Sequence, residues 1–346
     1  MNILVDDIGS FPLPPYLTRE TFDKAYFSSR KAILEGRDIT KDRFLFKNFY
    51  QVVVDSFLMK LRAGLDVANY PQHYHMHRQF AEVIHDAMDK GTYLVDEKDA
   101  VIPEVQVIRR EAKELSEKIG SKVSLRVCVT GPFELYLKEV GTTEYRDVLS
   151  MFAENTRSFA KNSIINSKYI RTEVVALDEP SLGFQNVTDE KDLLVDIYEK
   201  AFNFTGVSKH IHLHSTAKAP DVSEVENLEV LSFEYAASPK NIENVSKSML
   251  EKTDKQIRIG ISRTDIDSIL AELHDKGITK PSIDQLVENV KTIRKRFLAA
   301  KEKYGELMTF AGPDCGLGGW PSQAAAQLVL KRTVDAVRSS GKCLRQ

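Results

Sequence analysis

Eight short runs rich in β-branched residues, most of them followed by a longer stretch with helical spacing, constrain this chain more than any other feature. Such alternation requires parallel strands covered by helices. The runs fall at residues 3–9, 65–69, 123–131, 172–178, 210–214, 228–235, 256–262 and 307–312. Apolar residues recur every three or four positions through 46–64, 103–120, 145–166, 192–206, 282–305 and 322–341, and most of these stretches end in Gly, as helix C-termini often do. The pattern predicts an α/β fold, a (β/α)8 TIM barrel. A doubly wound open sheet is the alternative, but a nucleotide-binding sheet of that kind normally has a glycine-rich turn after its first strand, and none follows ILVDDIG here.

Residues 13–45, including the charged segment 33–43, stand between the first strand and the first long helix. We expect an inserted helical hairpin there. With no internal repeat, low-complexity tract or Pro/Gly linker, one catalytic domain over residues 1–346 is the expected organisation.

Lys and Arg number 48 against 50 Asp and Glu, so no charge excess argues for nucleic acid or an anionic membrane surface. No window approaches the ~18 apolar residues of a membrane span, and the N-terminus lacks a basic region followed by an apolar run. Cys128, Cys315 and Cys343 are odd in number and far apart, which is no disulfide framework and fits a reducing compartment. The expected location is cytoplasmic, with small molecules or proteins as partners.

Active sites of these barrels gather at the C-terminal ends of the strands. Those ends carry Gly9-Ser10, Asp178-Glu179-Pro180, His212-Leu213-His214, Glu234 and Asp314-Cys315. His212 and His214 are two apart, so on a strand they share a face and can share one metal. With a carboxylate from Glu234 and a thiolate from Cys315, the donors suit tetrahedral Zn²⁺ better than Mg²⁺ or Ca²⁺. The bland alternatives are hydrogen-bonded core histidines and a small buried thiol. His210 lies on the same face but deeper in the strand.

At these residues the sequence resembles the C-terminal catalytic half of cobalamin-independent methionine synthase, in the form of its short archaeal and bacterial homologues. The similarity runs through Ile8-Gly9-Ser10-Phe11-Pro12, Gly64-Leu65-Asp66-Val67, Thr130-Gly131-Pro132, Asp178-Glu179-Pro180, His212-Leu213-His214, Glu234, and Pro313-Asp314-Cys315-Gly316-Leu317 followed by Gly319-Trp320-Pro321. It implies a zinc-dependent barrel that transfers a methyl group to the sulfur of homocysteine. It also implies His212, His214, Glu234 and Cys315 as zinc ligands, with Ser10 and Asp178 holding the carboxylate and amino group of the acceptor. In the short homologues a methylated corrinoid is the expected donor. The chemistry is sound without the name, because a thiol of pKa about 8–9 is a poor nucleophile until a metal ionises it.

Three departures qualify the resemblance. The family pattern is His-x-Cys, whereas this chain has His212-Leu213-His214; His, His, Glu and Cys bring two negative charges to Zn²⁺ rather than three. A less electron-rich zinc ionises a thiol readily but leaves a weaker nucleophile, which favours an activated donor such as methylcobalamin over a methyl-folate. After strand two the family has an acidic pair flanking Pro, while this chain has Tyr70-Pro71-Gln72, so Tyr70 and Gln72 become substrate-contact candidates. A family histidine after strand seven is replaced by the segment Gly260–Asp265, where Ser262, Arg263 and Asp265 either bind substrate or, for Asp265 and Thr264, cap the next helix. The run His73-Tyr74-His75-Met76-His77 reads as an acid or orienting group, or as a solvated loop and helix start. Beside the methyltransferase reading stand a methyltransferase for a coenzyme M-like thiol and a non-catalytic zinc-binding or corrinoid-protein docking subunit.

Overall fold

A computed structural model describes residues 2–339; Cys343 and the end of the last expected helix lie outside them. Eight parallel strands, β1 (Leu4–Val5), β2 (Ala68–Asn69), β3 (Val123–Thr130), β4 (Ile170–Glu179), β5 (Ser208–Leu213), β6 (Val230–Phe233), β7 (Gln256–Ser262) and β8 (Met308–Pro313), pair in the order β1-β8-β7-β6-β5-β4-β3-β2. The edge strands meet through a parallel bridge between Asp6 and Val67, with the Val5 carbonyl accepting from the N–H groups of Asp66 at 2.8 Å and Val67 at 3.2 Å. The architecture is the predicted α/β TIM-barrel fold, with helices around the sheet.

β1 and β2 are the shortest strands. Around β1 a side chain replaces part of the ladder: the Asp66 carboxylate accepts the Val5 N–H at 2.8 Å, and the chain turns at Gly9, whose φ is +50°. Between β1 and β2 lie a helix at Arg19–Leu34, a 3₁₀ turn at Ile39–Lys41 and a short helix at Arg43–Leu45, which runs through a π-helical turn into the helix Gln51–Arg62. The expected hairpin is therefore one helix, packed through Phe22 and Tyr26 against Phe49 and Tyr74, and the head of the next helix.

The expected helix over 282–305 is two. Ser282 forms a capping box for Ile283–Leu286 and Asn289 caps Val290–Tyr304, so the chain restarts because two N-caps lie seven residues apart. Helices at Arg78–Met88, Pro132–Glu139 and Ile266–Asp275 complete stretches that the apolar spacing left open. Pro132–Glu139 begins with Pro at its first turn, and the buried Glu179 carboxylate accepts the N–H groups of Phe133 at 3.1 Å and Glu134 at 2.7 Å.

Inside the barrel, alternate strands contribute alternate layers. Val67, just before β2, with Val174 of β4 and Phe310 of β8, makes a small apolar cluster. Next to it sit Asp6, Arg126, His210 and Arg258, from the odd-numbered positions, all fully buried. Asp6 accepts from Arg126 Nη1 at 2.7 Å and from Arg258 Nε at 2.9 Å. Arg126 also contacts His210 Nδ1 at 3.2 Å, and Phe310 packs edge-on against the His210 ring with centroids 4.8 Å apart. Burial, with two guanidiniums nearby, holds His210 neutral, its pKa well below the usual imidazole range. His210 thus belongs to this charged layer, and stepping two residues at a time along the same face leads to His212 and then His214.

Candidate metal centre

His212, His214, Glu234 and Cys315 converge at the C-terminal ends of β5, β6 and β8, each offering a donor atom within 4.8 Å of the other three. Cys315 Sγ lies 3.4 Å from His214 Nε2, and Glu234 Oε1 lies 3.6 Å from the same nitrogen. His212 is buried and its Nδ1 meets Ser232 Oγ at 3.0 Å. Its Nε2 is buried with no hydrogen-bond partner among the described residues. When Nδ1 donates to Ser232, the Nε2 lone pair is free for a metal, the usual arrangement behind a histidine ligand.

The electrostatics fit a cation. Burial pushes the Cys315 thiol well up, and the neighbouring Glu234, Asp178 and Asp314 add to the effect. Burial also raises Glu234 and drives His212 well below the imidazole range, helped by His214, Arg258 and Arg126. The thiol faces the Glu234 carboxyl in a buried setting that disfavours negative charge on both, and a divalent cation would offset that. Two nitrogens, one oxygen and one sulfur match Zn²⁺. Behind the donors, Asn241 Nδ2 donates to the carbonyls of His214 at 2.7 Å and Glu234 at 2.9 Å, tying two ligand-bearing strand ends together. Neither Ser232 nor Asn241 was marked by sequence; a small polar residue pointing inward one strand from a histidine was the available signal.

The other predicted residues divide. Ser10 lies against the loop after Cys315: its Oγ accepts the Gly318 N–H at 3.1 Å, and its carbonyl accepts the Leu317 N–H at 2.7 Å. Asp178 is buried beside the cluster, its Oδ1 without a hydrogen-bond partner among the described residues. Burial lifts its pKa to about 6, with Arg126 and His214 pulling the other way. Gln72 is buried over Gly9 with φ at +41°, a left-handed conformation unusual for a side chain of its size, and its Nε2 has no partner among the described residues. Tyr70 is fully buried, and its hydroxyl donates to the Cys128 carbonyl at 2.9 Å and accepts from Gln79 at 3.2 Å.

Ser262 faces the outer helix Gln323–Arg338, where its Oγ meets Thr333 Oγ1 at 2.6 Å. A register shift between Gly260 and Ser262 accounts for that direction. Asp265 stands at the N-cap position of Ile266–Asp275, but its carboxylate pairs with Arg263 at 2.6 Å and makes no cap bond. The histidine run is not one unit. His73 is buried between the Phe11 carbonyl and Ser56 Oγ at 2.8 and 2.9 Å. His77 instead meets Glu139 at 3.0 Å, and His85 contacts the other oxygen of that carboxylate.

Fold and donor set together define a TIM barrel with four side chains able to hold a metal ion gathered at its C-terminal mouth. The fold is shared with a B12-independent methionine synthase from Shewanella sp. W3-18-1 solved in complex with selenomethionine, at 13% identity, a TM-score of 0.62 and 99% coverage of both chains. A Listeria monocytogenes structure named for the vitamin-B12-independent methionine synthase is similar at 14% identity, a TM-score of 0.55 and 98% coverage of both. Neither a family model nor a curated protein matches the sequence. Among the described residues no helix is long and apolar enough to cross a membrane.

Proposed function

We propose that this chain is a zinc-dependent methyltransferase of the methionine synthase type, acting as one catalytic barrel, with homocysteine as the acceptor. The carrying observation is the convergence of His212, His214, Glu234 and Cys315 at the barrel mouth. Bound Zn²⁺ supplies the charge that ionises an acceptor thiol near neutral pH. The chain's own residues bind and orient. His212 is fixed through Ser232. Asp178, with a pKa near 6, is ionised at neutral pH and offers an unpaired oxygen to the acceptor's ammonium group. To Ser10, beside the Cys315 loop, we assign the acceptor's carboxylate. The acceptor gives up its thiol proton to solvent, its sulfur forms a bond to the donor's methyl carbon, and the donor leaves with the electron pair of the bond that breaks, a methylcorrinoid leaving as its cobalt(I) form. In the Shewanella protein, which has the same fold, selenomethionine is bound; it is the selenium counterpart of the product of that reaction.

For the donor we propose a methylcorrinoid. Support for it comes from the ligand charge and from the absence of a histidine in the segment Gly260–Asp265, not from the structural neighbours. Metal analysis of the purified protein, followed by homocysteine-dependent methyl transfer from methylcobalamin and from methyl-folate, tests both parts. Bound zinc with turnover of methylcobalamin is the expected result. Efficient turnover of free methyl-folate alone removes the corrinoid, and absence of zinc removes the centre.

A further inference from the structure

The segment after Glu234 has no regular secondary structure through Tyr235, Ala236 and Ala237, yet it carries a ligand that must be held to within a fraction of an ångström. What holds it is the residue next to another ligand. Asp314, fully buried and immediately before Cys315, accepts the Tyr235 N–H at 3.0 Å and the Ala236 N–H at 2.9 Å on Oδ1, and the Ala237 N–H at 2.6 Å on Oδ2. Its own N–H donates to the Ser262 carbonyl at 2.9 Å. Opposite it lies Gly260, where any Cβ would stand 2.7 Å from Asp314 Cα and still closer to the carboxylate. One side chain therefore fastens the end of β6 to the end of β8 across the end of β7.

We propose that Asp314 is a positioning residue which fixes Glu234 relative to Cys315 and thereby sets the metal affinity and coordination of the centre; this rests on the metal-site reading above. The chemistry requires a carboxylate. Three N–H groups converge on two oxygens, and both oxygens of an Asp side chain can accept. Asn has the same shape but sets an NH₂ donor against an N–H donor. Residues behind metal ligands typically change affinity by about 10–100-fold when removed.

Asp314→Asn and Gly260→Ala are tested beside the wild type, each checked for folding by circular dichroism. Cobalt(II) and zinc affinities are measured by chelator competition, and the thiolate-to-cobalt charge-transfer band by absorbance. Both variants should stay folded, bind about 10–100-fold more weakly and show a diminished band, Gly260→Ala doing so with the carboxylate intact but displaced. Folded variants with wild-type affinity and spectrum overturn the proposal alone; a wild type that takes up neither metal overturns the metal-site reading and this proposal with it. Amide exchange in the wild type needs no variant. The amides of residues 235–237 should be protected despite their irregular backbone, and rapid exchange there overturns the proposal even if a substitution prevents folding.

Discussion

Replacing Asp6 by Asn tests the charged layer that crosses the barrel. In the wild type one carboxylate serves two guanidiniums, at 2.7 Å from Arg126 and 2.9 Å from Arg258, with all three residues fully buried. Asp6→Asn keeps the volume and removes the only negative partner either arginine has among the ion pairs of the described residues. Breaking a buried pair costs about 3–5 kcal/mol, because a charge is left uncompensated in a low dielectric. Against a total stability of roughly 5–15 kcal/mol, that is a large fraction. Urea unfolding followed by circular dichroism, and by the fluorescence of the single tryptophan, Trp320, measures it. Adding Arg258→Met should restore part of the loss, since one of the stranded charges goes with it. The double variant should therefore lose less than the sum of the single losses, by about 0.5–3 kcal/mol. An Asp6→Asn protein within about 0.5 kcal/mol of wild type, the range of an ordinary surface change, would refute the reasoning, as would strict additivity.

Three further outcomes are expected. Ser232→Ala deprives His212 Nδ1 of its partner and should weaken zinc binding about 10–100-fold; an affinity within threefold of wild type would count against the role given to the imidazole. Burial lowers the His73 pKa to about 3, whereas the unfolded imidazole takes a proton near 6.5. Its contribution is thus complete above about pH 6.5 and is lost as the pH falls toward 3, at up to about 1.4 kcal/mol per unit. His73→Gln should flatten the pH dependence of the urea midpoint over that range, and an unchanged slope would contradict it. Gly131→Ala places a Cβ against the Glu179 carboxylate, so it should destabilise by about 1–3 kcal/mol; an unchanged melting temperature would show that Glu179 moves freely.

The barrel was legible because its strands are β-branched runs of the right length and its long helices keep one apolar face. β1 and β2 came out shorter than their apolar runs because Asp66 and the turn at Gly9 take over part of the pairing. The helix at Arg78–Met88 begins where the histidine run reads as a helix start, but the loop before it is not all solvated, since His73 is buried. At the site, strand periodicity put His212 and His214 on one face, and strand order brought Glu234 and Cys315 beside them. Periodicity says nothing of a bulge, so the outward turn of Ser262 was not readable. The backbone N–H groups gathered by Asp314 were not readable either, because main-chain donors leave no mark in a sequence. Arg126 in VSLRVCVT and Arg258 in QIRIGIS were visible as charges inside apolar strands, and their shared partner Asp6 appears only once the strands are arranged around an axis.

That layer also governs traffic through the proposed enzyme. With Asp6, Arg126, His210 and Arg258 fully buried above an apolar plug of Val67, Val174 and Phe310, the barrel is closed at one end, and acceptor and donor must use the same doorway. The deeper guest has to arrive first and leave last, because a bulky methyl donor at the mouth blocks its passage. Steady-state kinetics should accordingly be ordered, with the thiol as leading substrate and the methylated product released only after the spent donor has gone.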